Sequence, residues 1–239
     1  MKLLDLTLPT PAENLALDEA LLEAAERAGQ PTEVLRVWES PTPAVIIGRA
    51  SQAAAEVELD YCRDHQIPVL RRGSGGAAVV IGPGCLMYAV VLSYDLHPEL
   101  RMISRAHCFV LQRLAEALRP YQPGVACQGS SDLTVGVRKF SGNSLRCRRS
   151  HLLYHGTLLY NFTLDSVGQC LRAPPRQPDY RESREHGEFV CNLDVSPDDV
   201  RTGLRRAWCA EENLTDWPAD LVRQFVAERF GDDDWNLRR

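Results

Sequence analysis

The sequence predicts an α+β fold, with mixed or antiparallel β-sheets flanked by helices. Three observations carry this. Strand-like apolar runs cluster in the middle of the chain, helical stripes precede and follow them, and strand does not alternate with helix as a doubly wound parallel sheet requires. No internal repeat or linker-like stretch interrupts the pattern, so residues 1–239 read as a single domain. Its core spans 1–170, a loop and two helices follow over 171–230, and 231–239 form a solvated tail.

Residues 2–8 read as a strand. Pro11 opens a helix running to about Ala28, because Leu15, Leu17, Ala20, Leu21 and Leu22 make an apolar stripe and Gly29 stops it. Val34–Trp38 and Ala44–Ile47 read as two strands joined by the Pro41-Thr42-Pro43 turn. A helix over Glu56–His65 leads to a strand at Pro68–Arg71 and then to the turn Gly73-Ser74-Gly75-Gly76. Strands follow at Ala77–Ile81 and Leu86–Ser93, and Ile103–Leu118 has the length and stripe of a helix. Leu133–Val135 and Arg138–Ser144 form a hairpin about Gly136, and Leu152–Tyr160 is a further strand. Beyond Asp165, Ala173–Pro178 is a loop and Asp179–Val190 a charged stretch without clear periodicity; helices at 197–210 and 217–230 follow.

Composition excludes several functional classes. At 44% hydrophobic and 25% charged, the chain can bury a sizeable core, and a formal net charge of −5 argues against general nucleic-acid binding. The longest apolar stretch, Ala77 to Leu92, is broken by Gly82-Pro83-Gly84, so no membrane span is expected. The N-terminus lacks the apolar run of a secretory signal. Eight cysteines, at 62, 85, 108, 127, 147, 170, 191 and 209, form no Cys-x-x-Cys pair. That suits reduced thiols in a cytoplasmic protein rather than a metal site or a disulfide framework.

Of the 27 basic residues 25 are arginine, and beyond Lys2 the sole lysine is Lys139. Lysine is a compact ammonium that approaches a carbonyl or phosphoryl oxygen as a point charge, whereas arginine is a planar fork. Either Lys139 survived an arginine-rich composition by chance or it is kept for that chemistry. A second feature is Arg71-Arg72-Gly73-Ser74-Gly75-Gly76-Ala77, which sets two permanent charges beside glycines whose N–H groups can approach an anion closely. It is no Walker loop, for no Gly-Lys-Ser/Thr follows, and no Rossmann fingerprint, for a strand comes next. A plain turn with solvated arginines is the alternative to phosphate or carboxylate binding. Farther on, Arg138-Lys139-Phe140-Ser141-Gly142-Asn143-Ser144 precedes His155-Gly156-Thr157-Leu158-Leu159. Strand alternation separates Lys139 from Arg138 and Phe140, and Gly156 gives room for close backbone approach. His155 is either a site residue or a structural hydrogen-bonder.

Together these motifs resemble the lipoate–protein ligase A and octanoyl/lipoyl transferase superfamily, which shares its α+β catalytic domain with biotin–protein ligases. Arg71–Val79 is similar to that family's RRxSGGGAV-type loop, Asp132-Leu133 with Arg138–Ser144 to its DL…RKxSGxA segment, and Tyr154–Leu159 to its HHGTLL strand. Asn14–Ala20 resembles its first helix, order and spacing agree over roughly residues 1–170, and the GRGRxGR signature of biotin ligases is absent. The resemblance implies one catalytic domain in which Lys139 contacts the carboxyl or acyl carbonyl of lipoate or octanoate, and the phosphate of an acyl-adenylate. It implies that the glycine loop closes over the acyl chain and phosphate with help from Arg71 or Arg72, and that Ser141, Gly142, His155, Gly156 and Thr157 belong to the binding site. Val79, Ala89 and Val90 would help line an apolar tunnel. The implied acceptor is a lysine on a lipoyl carrier domain, of a 2-oxoacid dehydrogenase complex or a glycine cleavage H-type protein, with no nucleic acid or membrane involved.

Two departures from the ligase pattern stand out. ATP-using ligases usually carry an HDxGN-type stretch where this chain has Ile81-Gly82-Pro83-Gly84-Cys85, closer to octanoyltransferases, and only two helices stand where ligases commonly carry an accessory domain. Cys127 lies near where some octanoyl-transferring relatives place a nucleophile. A thiolate there, favoured by a nearby Lys139, could take an acyl group from acyl carrier protein as a thioester. Three readings follow: an ATP- and Mg2+-dependent ligase working through an acyl-adenylate, a cofactor-free transferase working through Cys127, and a non-catalytic acyl- or carrier-binding protein. The motif set favours the ligase. No metal site is expected in the protein itself, and Arg176–Val190 is either a solvated loop or a lid and carrier-docking surface.

Overall fold

In the computed structural model, which describes residues 1–238, strand β1 (Lys2–Asp5) leads into helix α1 (Pro11–Ala28). The helix starts at a capping box: Thr10 Oγ1 accepts the Glu13 N–H at 3.2 Å, and Glu13 Oε2 accepts the Thr10 N–H at 2.9 Å. It stops at Gly29, as expected. Strands β2 (Val34–Glu39) and β3 (Ala44–Ile47) are followed by helices α2 (Ala53–Glu56) and α3 (Leu59–Asp64), then β4 (Val69–Arg71), β5 (Val79–Ile81) and β6 (Cys85–Ser93). Helix α4 (Ile103–Leu118) precedes β7 (Val125–Gln128), β8 (Asp132–Val135), β9 (Arg138–Cys147) and β10 (His151–Leu159). The remaining elements are α5 (Asp165–Cys170), α6 (His186–Phe189), α7 (Pro197–Ala207), β11 (Glu212–Asn213), α8 (Ala219–Phe225) and α9 (Asp233–Asn236).

Eight strands form one mixed sheet in the order β11-β1-β2-β6-β10-β9-β8-β7, and three form a second, β4-β3-β5. Pairing is parallel from β11 to β2 and antiparallel beyond, which gives the α+β class expected. β6 and β10 lie in the middle of the large sheet with every residue buried, which is why they read as near-continuous apolar runs rather than alternating ones. Their pleat divides two cores. Met87, Ala89, Val91 and Leu153 pack with α1, β3 and α8, whereas Leu86, Tyr88, Val90, Leu92, Leu152 and Tyr154 pack with α4 and α7. The next β10 positions on the α1 side are His155 and Thr157, so the same alternation carries polar groups to the α1 face.

Several expectations need correction. The single helix at Glu56–His65 is two short helices, because Val57 turns extended and bridges to Leu171. β2 and β3 are joined through Pro41-Thr42-Pro43 as read, and this turn carries the chain from one sheet to the other. β1 ends at Asp5, and β5 begins at Val79 because the Ala77 carbonyl is taken by the Arg72 guanidinium. The helix expected at 197–210 stops at Ala207, and the one expected at 217–230 starts at Ala219 and widens over Val226–Phe230. The expected solvated tail is instead partly docked: α9 buries Asn236, which accepts the Arg71 N–H at 2.9 Å. No helix among the described residues is long and apolar enough to cross a membrane.

Candidate functional site

Three cavities meet on the α1 side of the large sheet, where Ala77 and Arg176 are common to their walls. The central one, of about 370 Å³, has an apolar wall of Leu15, Ile46, Val79 and Met87. Facing it are Asp132, Lys139, Asn143, His155 and Thr157. A pocket of about 130 Å³ adjoins it on the side of Lys139, and one of about 550 Å³ beyond Gly76. Val79 lines the cavity as expected. Ala89 and Val90 do not, because the pleat commits them to the two solid cores.

Lys139 stands at the start of β9, where a register shift sets Thr134 opposite Lys139 and Leu133 opposite Ser141. Its Nζ lies 2.7 Å from Asp132 Oδ1, and Asp132 Oδ2 accepts the Tyr180 O–H at 2.7 Å. Burial and the adjoining carboxylate push the Tyr180 phenol well above its usual range, so it remains a donor. Gly142 makes room for the ammonium, since a Cβ there would stand 2.9 Å from Lys139 Nζ. Gly156 makes room for Asn143, whose Oδ1 accepts the Tyr88 O–H at 2.5 Å. Ser141 is buried and accepts from Asn143 Nδ2 at 3.1 Å, and Thr157 Oγ1 accepts the Gly142 N–H at 3.2 Å. Phe140 points into the opposite core, as alternation requires.

The two loop arginines have separate tasks, and the guanidinium of each is already bonded within the protein. Arg71 is 1% exposed and donates to the carbonyls of Gly48, Arg49, Ser51, Trp235 and Arg238 at 2.7–3.2 Å. It does not line the cavities, so the anion contact expected of it is replaced by an anchor for the C-terminal segment. Arg72 does line the central cavity, yet it donates to Ser74 Oγ and to the carbonyls of Ile46, Gly75 and Ala77 at 2.6–3.1 Å. Burial lowers its pKa to about 10, which leaves it charged at neutral pH. Because a peptide plane sets N–H opposite C=O, drawing the Gly75 and Ala77 carbonyls onto Arg72 turns the Gly76 and Ala78 N–H groups away from it. Glu56 Oε2 accepts the Ala78 N–H at 2.8 Å, and Gly76 forms part of the wall between two cavities.

Gly73 and Ser74 face inward rather than into the cavity. Gly73 packs on Glu19, which pairs with Arg146 and Arg229. Ser74 Oγ lies 2.6 Å from His155 Nε2, and His155 Nδ1 lies 3.8 Å from Asp18 Oδ2. Asp18 is paired at 2.5 Å with the fully buried Arg36, which also donates to Asn14 Oδ1 and to the Asn14 and Leu6 carbonyls. Asn14, Asp18 and Glu19 are site-organising residues that the apolar-stripe reading of α1 passes over. The available signal is three polar residues within a helix segment otherwise apolar on every side.

Cys127 is exposed on the edge strand β7, opposite Leu133, and lines none of the three cavities. Partial burial raises its pKa; the nearby charge that opposes this is Arg119, and Lys139 is instead paired with Asp132. Among the described residues, no cysteine lines these cavities. The stretch after α5 forms their outer wall, with Arg176, Gln177 and Pro178 on the central cavity and Arg181, His186 and Phe189 on the smaller one.

The family model described as "Lipoyl protein ligase A/B catalytic domain" matches residues 10–202. The chain is 28% identical to "Lipoate-protein ligase A subunit 1" of Thermoplasma acidophilum, over 97% of this chain and 95% of that protein. It is 25% identical to "Octanoyltransferase LipM" of Brevibacillus brevis, over 96% of each. Among solved structures, that of a bi-partite lipoate protein ligase and its E2 lipoyl domain from Thermoplasma acidophilum superposes with a TM-score of 0.84 at 27% identity, covering 100% of this chain and 97% of the other. A lipoate-protein ligase A bound with ATP gives a TM-score of 0.78 at 26% identity, covering 99% and 98%. Three motifs brought to one cavity, the sheet order that brings them there and a family match over most of the sequence agree: the chain belongs to the lipoyl protein ligase A/B catalytic domain family.

Proposed function

We propose that this enzyme is a lipoate–protein ligase: it activates lipoate, or octanoate, as an acyl-adenylate and passes the acyl group to a lysine of a lipoyl carrier domain. The observation that carries this is the position of Lys139. Its ammonium stands where an apolar cavity meets the glycine loop, and with one N–H on Asp132 it has two further donors for a substrate oxygen. The acyl chain would lie along Leu15, Ile46, Val79 and Met87, with its carboxylate at Lys139. As the carboxylate oxygen attacks the α-phosphorus of ATP and pyrophosphate leaves, negative charge grows on phosphoryl oxygens beside Lys139 and the Gly76 N–H. When the carrier amine then attacks the acyl carbonyl and AMP leaves, the same ammonium faces the developing oxyanion. Fixed donors of this kind stabilise such charge without reorganising.

The ligase-named relatives and the ATP-bound neighbour support this reading, and the absence of a cavity-lining cysteine among the described residues disfavours transfer through Cys127. Asp132 already holds two donors and Glu56 caps a backbone N–H, so the carboxylates facing these cavities are poor ligands for a resident metal. Magnesium would enter with ATP, as MgATP. The carrier would be the lipoyl domain of a 2-oxoacid dehydrogenase complex or an H-type protein, met in the cytoplasm, where eight unpaired thiols stay reduced. We take residues 1–239 as one catalytic unit, because α9 holds the strand that feeds the glycine loop.

The test is the intact mass of a lipoyl domain after incubation with the protein. One sample contains lipoate and MgATP, the other octanoyl–acyl carrier protein without ATP. Added acyl mass in the first supports the ligase. Addition in the second alone overturns it in favour of a transferase, and addition in neither favours a binding role.

A further inference from the structure

We infer that Tyr180 is a positioning residue for Lys139, acting through Asp132, and that its hydroxyl latches the segment around residues 176–190 over the ammonium. The functional half of this rests on the ligase reading; the latch rests on geometry alone. The Asp132 side chain is 9% exposed, and each of its oxygens has one close partner: Lys139 Nζ on Oδ1 and Tyr180 O–H on Oδ2, both at 2.7 Å. Leaving one oxygen of such a carboxylate without a donor is costly, and supplying that donor fixes the rotation of the carboxylate. The direction in which Lys139 is held is thereby fixed too.

The segment grips Lys139 a second time through the backbone. The Cys191 N–H donates to the Lys139 carbonyl at 2.9 Å, and Arg138 Nη2 donates to the Val190 carbonyl at 2.6 Å. Between these grips the strap supports itself. The Tyr180 and Phe189 rings pack with centroids 5.3 Å apart, and the Arg181 and Arg184 guanidinium groups lie 4.8 and 5.4 Å from the Phe189 centroid. Arg184 Nη2 also donates to the Tyr180 carbonyl at 2.7 Å. The Tyr180 ring rests against Gly129 in the β7–β8 turn, where a Cβ would stand 3.4 Å from Tyr180 Cε1. Closed, the strap places Arg176, Gln177 and Pro178 in the cavity wall. Released at Tyr180, it leaves the ammonium both less firmly held and less covered.

Tyr180→Phe removes the hydroxyl and keeps the ring, and the composition supplies an internal control. Lys2 and Lys139 are the chain's two lysines, so acetylation by an N-hydroxysuccinimide ester, followed by peptide mass spectrometry, reports Lys139 against Lys2 in one sample. In Tyr180→Phe the ratio of Lys139 to Lys2 labelling rises several-fold, and single-turnover formation of lipoyl-adenylate slows about tenfold while the KM for lipoate stays unchanged. In an Asp132→Ala background the same change adds no further loss. Asp132→Asn, which keeps the side chain's size but removes the charge shared by Lys139 and Tyr180, moves both readouts the same way and serves should Tyr180→Phe fail to fold. Unchanged labelling and rate overturn the inference, as does a Tyr180→Phe effect that persists in full without Asp132. A labelling response in a protein that makes no adenylate would keep the latch and sink the ligase reading instead.

Discussion

Ser74 and His155, 81 residues apart in sequence, share a 2.6 Å hydrogen bond that ties the glycine loop to the centre of the large sheet. On the other side of the ring, His155 Nδ1 lies 3.8 Å from Asp18 Oδ2. Ser74 Oγ also accepts the Arg72 Nε–H at 3.1 Å, so the bond holds the loop arginine as well. His155→Ala should therefore loosen the loop, raising the KM for lipoate about tenfold with a smaller effect on kcat. Steady-state kinetics check it, and an unchanged KM would show that the loop does not depend on this bond.

Lys139→Ala should lower acyl transfer by at least about 10²-fold while leaving the fold intact, because the side chain faces a cavity rather than a core. Lys139→Arg should fail as well, since a planar fork cannot take the place of a point ammonium beside Gly142. ATP–pyrophosphate exchange and a thermal melt together read the outcome. Full activity in Lys139→Ala removes Lys139 from the reaction, and full activity in Lys139→Arg removes the need for a point ammonium.

Cys127→Ser should change carrier acylation by less than about twofold, as expected of an exposed edge-strand position. Intact-mass assay of the carrier decides it. Near-complete loss would restore the thioester mechanism.

Arg71→Ala should destabilise the protein by more than about 3 kcal/mol, because it strips donors from five carbonyls in one buried place. Asn236→Ala, which removes one acceptor of the same anchor, should cost about 1–2 kcal/mol. Urea denaturation measures both. Arg71→Ala with wild-type stability but no substrate affinity would return Arg71 to the binding site.

Glu26 provides the pH dependence. Its partial burial favours protonation, but the N–H and O–H of Ser150 and the N–H of His151, at 2.7–2.9 Å, outweigh it and hold the pKa below the usual glutamate value. A carboxyl depressed in the folded state stabilises it above the unfolded pKa of about 4.3, and that contribution fades as pH falls through the lower folded value. Glu26→Gln should therefore cost about 1–2 kcal/mol at pH 7 and progressively less below pH 4. Denaturation at several pH values tests this; a cost that does not shrink in acid would contradict it.

Local signals in the sequence translate well into structure. Pro11 and Gly29 bound α1 to the residue, and the apolar runs of β6 and β10 mark the middle of the sheet because both faces are buried. The motif order also places Lys139, His155 and Thr157 around one cavity. What the sequence hides is partnership at long range. Alternation places Arg71 on a strand but says nothing of a carbonyl cluster assembled from residues 48–51 and 235–238. Tyr180 lies 48 residues from Asp132 in a stretch with no periodicity, so its hydrogen bond leaves no trace in spacing. For Cys127 a position in sequence suggests proximity to Lys139, yet an edge strand can carry a side chain out of reach of a cavity a few residues away.

The placement of the two lysines has a chemical corollary. Lys2 pairs with Glu212 at 3.4 Å on β1, four strands along the sheet from β9, and the positive charge elsewhere is carried by guanidinium groups. A ligase that holds a mixed anhydride manufactures an acylating reagent, and any amine on its own surface competes with the carrier for it. Arginine stays protonated and does not attack. On the ligase reading, this surface thus offers escaped reagent little to modify beyond Lys2 and the N-terminal amine.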